Sequence, residues 1–241
     1  MQTKEQENIT QNSGLVEQDF SDWSTLNPEK FIKNDANYSR LMMKYRCAIR
    51  EVKTKLEVLS DEFSMAYNRN PIDSIHTRIK SPESIYRKLQ KMGHEFTAEN
   101  IEQYLNDVSG IRVICPFIND IYTVANLLAQ QDDIEVLQIK DYIKNPKPNG
   151  YRSYHMIVQI PVFFSKGKTP MRVEVQIRTI AMNFWASLEH QIRYKKNLEN
   201  TVGLDLSLIE QELQKAAQNI TELDEHMQSI KNMIGKFNSI D

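Results

Sequence analysis

The 241-residue chain has only two cysteines, Cys47 and Cys115, each alone in helical or apolar surroundings. Their placement excludes a disulfide framework and a zinc site and fits a reducing cytoplasm. No stretch approaches 18 uninterrupted apolar residues, and the polar, acidic N-terminus has no hydrophobic leader core. Neither membrane insertion nor secretion is expected. An excess of charge of one sign is missing too. Thirty basic against 32 acidic side chains leave a net charge of -2, which excludes a global field for nucleic acid or an anionic membrane, so any basic function is local. What is there is ordinary for a globular protein: 40% hydrophobic and 26% charged residues, on a chain long enough for one sizeable domain with extensions.

Residues 1–37 are rich in Gln, Asn, Glu, Asp and Ser and read as a mobile polar tail. From Tyr38 to Tyr67, Leu41, Tyr45, Ala48, Val52, Leu56, Leu59 and Phe63 recur at spacings of three and four, which predicts a long amphipathic helix. Strands are predicted over Ile75–Lys80, Gly110–Phe117, Val136–Ile143, Tyr154–Phe163 and Met171–Thr179, and helices over Pro82–Met92, Glu99–Leu105 and Asp120–Gln130. The later strands follow one another without intervening helices. The fold class is therefore α/β (α+β), a mixed five-stranded sheet flanked by helices, with hairpin pairing near its end. At the C-terminus, Leu206, Ile209, Leu213, Ala216, Ile220, Leu223, Met227, Ile230, Ile234 and Phe237 alternate spacings of three and four, a sustained heptad seam. Such a helix needs a partner, either the long N-terminal helix of its own chain or a second copy, and self-association is expected. The chain thus divides into the tail 1–37, a domain over 38–198 and an amphipathic oligomerisation helix over 199–241.

The stretch Met171 to Tyr194 carries two periods. Val173, Val175 and Ile177 alternate with Glu174, Gln176 and Arg178, so a carboxylate, an amide and a guanidinium share one strand face over about 13 Å. That face is either wet or a site. Beyond it, Ala181, Trp185, Leu188 and Ile192 form a helical stripe that predicts a buried face, with Asn183, Glu189 and His190 off it.

Three other segments carry candidate chemistry. In Arg78-Ile79-Lys80-Ser81-Pro82-Glu83-Ser84 a strand runs into a helix with Ser81 as N-cap and Pro82 at its first position. Arg78 and Lys80 share a strand face, while Ser84, Lys88 and Lys91 share a helix stripe beside Ile85, Leu89 and Met92. Cations gathered at a helix N-terminus hold polyphosphate without a glycine-rich loop; a solvated basic face is the alternative. In Asp107-Val108-Ser109-Gly110-Ile111-Arg112 a carboxylate precedes an apolar strand that contains an arginine. Arg112 is costly to bury without a partner, and stacking on a nucleobase satisfies it. Asp107 is a common loop aspartate when alone, but paired with Glu174 it makes the two carboxylates that hold Mg²⁺ on a nucleotide polyphosphate. Finally, Pro146, Pro148 and Asn149-Gly150 demand a loop that displays Lys147, Asn149 and Tyr151 ahead of His155.

RIKSPES, DVSGIRVICPF, KPNGYRSYH and VEVQIRT followed by MNFWASLEH, in this order over Tyr38 to Lys196, resemble the synthetase domain of the RelA/SpoT family of alarmone synthetases. The length and the C-terminal helix resemble its small, single-domain members, and the polar tail leans toward the RelP type over RelQ. The resemblance implies a nucleotidyltransferase-like fold and transfer of the β,γ-pyrophosphate of ATP to the 3′-hydroxyl of GDP or GTP, giving ppGpp or pppGpp and AMP. It implies that Arg78 and Arg112 sandwich adenine and that Lys80, Ser84, Lys88 and Lys91 hold the ATP phosphates. Asp107 and Glu174 would ligate Mg²⁺, with Glu174 also the base for the 3′-hydroxyl. Tyr151 would stack on guanine, Asn149 and the backbone near Ala186 would read its edge, and Lys140, Lys147 and His155 would hold the acceptor phosphates. Gln176, Arg178 and Asn183 stand close by in the motif. One departure is Gln138-Ile139-Lys140-Asp141, where long members carry a charged first residue, so the choice between GDP and GTP does not carry over. The family also suggests a homotetramer and a synthetase without hydrolase activity. An RNA-end nucleotidyltransferase and a non-catalytic nucleotide-sensing oligomer are the competing readings.

Overall fold

The computed structural model describes residues 36–66, 69–195 and 206–237. The expected tail, as far as residue 35, and the expected boundary before the terminal helix lie outside the described residues. The elements in chain order are α1 (Ala36–Ala66), β1 (Ser74–Ile79), α2 (Pro82–Lys91), α3 (Ala98–Tyr104), β2 (Ser109–Cys115), α4 (Ile118–Ala129), β3 (Glu135–Asp141), β4 (Tyr154–Phe164), β5 (Gly167–Thr179), α5 (Ile180–Lys195) and α6 (Leu206–Phe237). Every strand and helix expected from periodicity within these residues is present, with ends displaced by a few residues.

The strands form one sheet in the order β1-β2-β5-β4-β3. β2 and β5 are parallel and the other pairs antiparallel, with β4 and β5 as the hairpin. β5 is central, which explains its two-period sequence. Val173, Val175 and Ile177 are fully buried on one face, packed with Val113, Met156 and Val158 beneath α1 and α4. α1 supplies Tyr45, Ala48, Val52 and Leu56 to that layer, each at most 2% exposed, so its apolar stripe is spent on the sheet and not on α6. The other face of β5 is polar yet closed from solvent, with Gln176 9% and Arg178 5% exposed.

Register assembles that polar face from all five strands. Pairing puts Arg78 beside Gly110 and Glu174, and His76 beside Arg112, Gln176, His155 and Lys140. Residues directly opposite across a sheet point to the same side, so segments far apart in sequence share one surface.

Two stripes differ from their periodicity. On α5 the buried residues are Met182, Trp185 and Ala186, while Leu188 and Ile192 are exposed along with Ile180 and Phe184. β5 runs into α5 without a loop, and Thr179 caps it by accepting from the Met182 N–H at 3.0 Å. The strand's end therefore sets the helix phase. On α2, Ile85 and Leu89 are buried but Met92 is exposed, because it is the C-cap residue beyond the last turn.

α6 packs on α5 and α4. The stripe it turns inward is Ala217, Thr221, Asp224, Gln228 and Lys231, one position after the heptad seam. Lys231 reaches Asp120 Oδ1 at 2.9 Å, Gln228 Oε1 accepts from the Asn119 N–H at 3.0 Å, and Asp224 Oδ2 accepts from Thr179 Oγ1 at 2.7 Å. Leu223, Met227 and Ile234 of the seam are left exposed.

Candidate active site

The first half of the site grows from the β1–α2 junction. Ser81 accepts from the Ser84 N–H at 3.3 Å, the N-cap bond its sequence position predicts. The turn after β1 brings Lys80 Nζ to 2.7 Å from Asp107 Oδ2, and α2 brings Lys88 Nζ to 2.8 Å from Asp107 Oδ1. Burial pushes the Asp107 carboxyl up, but the two lysines outweigh it and hold the group below the usual carboxylate range. Lys80 and Lys88 therefore converge as expected, while Lys91 stands exposed on the same helix. The Arg78 side chain lies over Gly110, where an added Cβ would meet its Cγ and Nε at 3.4 Å. Arg112 is desolvated, close enough to Arg78 and Arg178 for both to lower its pKa, and its buried Nε has no hydrogen-bond partner among the described residues. Arg112 Nη1 donates to Asn183 Oδ1 at 3.5 Å. Two guanidiniums on neighbouring strands, one under-satisfied, suit a flat aromatic ligand.

The second half is a closed ring of hydrogen bonds around Glu174. Gln176 Nε2 donates to Glu174 Oε2 at 2.7 Å, and His155 Nδ1 lies 3.3 Å from Glu174 Oε1. His155 Nε2 meets the Tyr151 hydroxyl at 2.9 Å, Arg178 Nη2 donates to that hydroxyl, and Arg178 Nη2 also donates to Gln176 Oε1 at 2.9 Å. The Tyr151 hydroxyl accepts from Arg178, and the His155 imidazole bridges that hydroxyl and the Glu174 carboxylate through its two ring nitrogens. Burial pushes the Glu174 carboxyl up, yet the His155 and Gln176 hydrogen bonds prevail and hold it below the usual range, with Asp107 near enough to oppose them. The carboxylate is thus ionised and without a proton of its own, as a base must be.

This arrangement predicts a pH effect. Glu174 is depressed partly through His155, so removing that donor raises its pKa. In His155→Phe, which offers no donor in place of the imidazole, the acid limb of kcat/KM is expected to move to higher pH, because protonation of the Glu174 carboxylate begins at higher pH. An acid limb that stays in place would show that His155 does not support the carboxylate.

The loop between β3 and β4 supplies the remaining groups. Gly150 has φ +82°, and Asn149 is tied down twice, its Oδ1 accepting from the Tyr151 N–H at 3.2 Å and its Nδ2 donating to Glu189 Oε1 at 3.1 Å. The Lys147 ammonium sits 4.8 Å from the Tyr142 ring centre and 5.0 Å from that of Tyr151, and the Arg178 guanidinium lies 5.0 Å from the Tyr151 ring. Lys140 is exposed opposite His155. Asp141 is structural, since it accepts from the Ile143 and Lys144 N–H groups at 3.0 Å. Ala186 packs in a small cluster with Trp185 and Ala217, against which Tyr151 rests. No motif or apolar periodicity marks Glu189 as the anchor of Asn149, or the inward stripe of α6. Its spacing of four and three was visible, but it is polar and lies next to a stronger apolar seam.

The pattern described as "Region found in RelA / SpoT proteins" matches residues 77–199. The chain belongs to the RelA/SpoT family. Among family members, it is 44% identical over 190 residues to the GTP pyrophosphokinase YwaC of Bacillus subtilis, covering 79% of this chain and 88% of that one. To the GTP pyrophosphokinase YjbM of the same organism it is 34% identical over 203 residues, covering 82% and 90%. Its fold superimposes on the small alarmone synthetase 1 of B. subtilis bound to its product pppGpp with a TM-score of 0.74, at 34% identity, covering 83% of this chain and 99% of that one. For the small alarmone synthetase 2 of B. subtilis the TM-score is 0.72 at 41% identity, covering 82% and 99%. All four family motifs read from the sequence lie on the polar face of the sheet or at its rim.

Proposed function

We propose that the protein is a GTP pyrophosphokinase that transfers the β,γ-pyrophosphate of ATP to the 3′-hydroxyl of GDP or GTP. The observation that supports this best is the placement of Glu174, ionised and hydrogen-bonded, on one sheet face with the Arg78–Arg112 pair and within electrostatic reach of Asp107 and its lysines, while His155 ties it to Tyr151. Adenine lies between Arg78 and Arg112, and Lys80, Ser84, Lys88 and Lys91 meet the ATP phosphates. Guanine stacks on Tyr151, Asn149 and the region of Ala186 address its edge, and Lys140, Lys147 and His155 meet the acceptor phosphates. Glu174 takes the proton of the 3′-hydroxyl as that oxygen bonds to the β-phosphorus. The bond from the β-phosphorus to the oxygen that bridges it to the α-phosphorus breaks, and its electron pair leaves on that oxygen, which becomes a phosphate oxygen of AMP.

Asp107 and Glu174 fit Mg²⁺. They are hard carboxylate donors, and two of them with phosphate oxygens and water make the set this ion prefers. Among the described residues no group of three His, Cys, Asp or Glu side chains gathers to hold a metal unaided, which suits a site completed by the nucleotide. When bound, the ion offsets phosphate charge and polarises the phosphoryl group. The exposed apolar residues of α5 and α6, among them Phe184, Leu188, Leu223, Met227 and Ile234, support self-association into a homotetramer, which a one-chain mass at micromolar concentration would refute. Among the described residues no helix is long and apolar enough to cross a membrane, and the unpaired Cys47 and Cys115 suit a cytoplasmic place.

The test mixes protein, Mg²⁺, γ-labelled ATP and GDP. Label is expected in guanosine tetraphosphate, with AMP in equal amount. Release of pyrophosphate instead would favour an RNA-end transferase, and nucleotide binding without turnover would favour a sensor. Pyrophosphate recovered from pppGpp would contradict a synthetase without hydrolase activity.

A further inference from the structure

We propose that α6 positions the acceptor loop, with Ala217 as the seat of Gly150 and Asp224 as the anchor of Arg152, so that this helix sets the affinity for the guanine nucleotide. The inference rests on the function proposed above, since it concerns the loop that carries Tyr151. Three contacts from one helix face flank that tyrosine. Gln214 Nε2 donates to the Pro148 carbonyl at 3.1 Å. Ala217 packs so closely on Gly150 that a Cβ built there would stand 2.3 Å from the Ala217 Cβ. Asp224 Oδ2 lies 3.8 Å from Arg152 Nη1, both side chains being under 10% exposed. The same carboxylate accepts from Thr179, the cap of α5, and Trp185 of α5 donates to the Leu213 carbonyl at 3.4 Å. Helix, loop and the end of the central strand are therefore locked together.

Beside the Gln214–Pro148 contact, toward the start of α6, the loop stands away from the helix. A cavity of about 400 Å³ is lined by Lys147, Pro148, Asn149, Glu210, Leu213 and Gln214. The loop is held at points and not by continuous packing, so a change at one point moves it without unfolding the sheet. The loop-facing stripe is also distinct from the exposed seam of α6, which makes loop placement separable from self-association.

The test is steady-state kinetics with each nucleotide varied in turn, beside melting curves and light scattering. Ala217→Val pushes against the Gly150 backbone and is expected to raise the GDP KM about tenfold, with the ATP KM and kcat within about twofold, the signature of lost acceptor binding. Ala217→Ser, which keeps the methyl-sized contact, should stay within about twofold on all three parameters. Asp224→Asn, which removes the charge facing Arg152, should raise the GDP KM about threefold or more. If Ala217→Val loses its cooperative melt, the exposed Gln214→Ala replaces it, with an expected rise of about threefold in GDP KM at unchanged melting temperature. Unchanged GDP KM in the folded variants, or an equal rise in both KM values, would overturn the inference. Calorimetric GDP binding reads the loop without turnover. A wild type that binds GDP but transfers nothing would remove the reaction alone, leaving the same comparison to decide the role of α6.

Discussion

Glu174→Gln is expected to lower kcat by about 10³-fold at saturating ATP and GDP, since a positioned general base contributes about 10²- to 10⁴-fold and this residue is also a proposed metal donor. The amide matches the carboxylate in size, but it has one acceptor oxygen, so it keeps only one of the bonds from His155 and Gln176 that reach the two Glu174 oxygens at 3.3 and 2.7 Å. One bond of the ring is lost at this partly buried position while the apolar layer on the other sheet face is untouched, so the chain should still melt cooperatively while turnover is lost. The measurement is single-turnover transfer of labelled pyrophosphate, which separates chemistry from product release. A variant that keeps more than about a tenth of the wild-type rate would remove Glu174 from the role of base.

Gly150→Ala should strike acceptor binding as hard as any single change in the loop. The φ of +82° costs an L-residue about 1–2 kcal/mol, and the new methyl would fall 2.3 Å from the Ala217 Cβ, a contact that forces movement. Strain of about 2 kcal/mol carried in the binding-competent loop corresponds to about 30-fold in GDP affinity. ATP binding, built on β1, α2 and β2, should be unaffected. The double variant Gly150→Ala with Ala217→Gly separates the two causes. It relieves the steric contact but not the backbone strain, so it should recover only part of the affinity. Full recovery would assign the whole effect to the seat on α6, and no recovery would assign it to φ alone.

Much of the fold was legible because burial leaves a period. The alternation in β5 placed Val173, Val175 and Ile177 in the core, and α1 announced Tyr45, Val52 and Leu56 through spacings of three and four. The Ser81–Pro82 helix start was also local, since a cap and its N–H partners are neighbours in sequence. Periodicity misjudged α5, because the phase of a helix continuous with a strand is set by that strand, and Met182 and Ala186 took the buried places expected for Leu188 and Ile192.

Candidate site residues could be picked out by type and motif, yet their partnerships could not. That Lys80 and Lys88 both bind Asp107, and that Glu174 reaches Tyr151 through His155, depends on strand order and register. These join segments tens of residues apart, and no local pattern encodes them. The C-terminal helix shows the division most clearly. By itself the sequence determined that α6 is a long amphipathic helix with an apolar seam, because heptad spacing alone dictates that geometry. Only the tertiary structure decided that Ala217, Asp224, Gln228 and Lys231 face inward, while Leu223, Met227 and Ile234 face out. The physical reason is that buried Asp120, Arg152 and Thr179 require charged and hydrogen-bonding partners, and a polar stripe supplies them where an apolar seam would not.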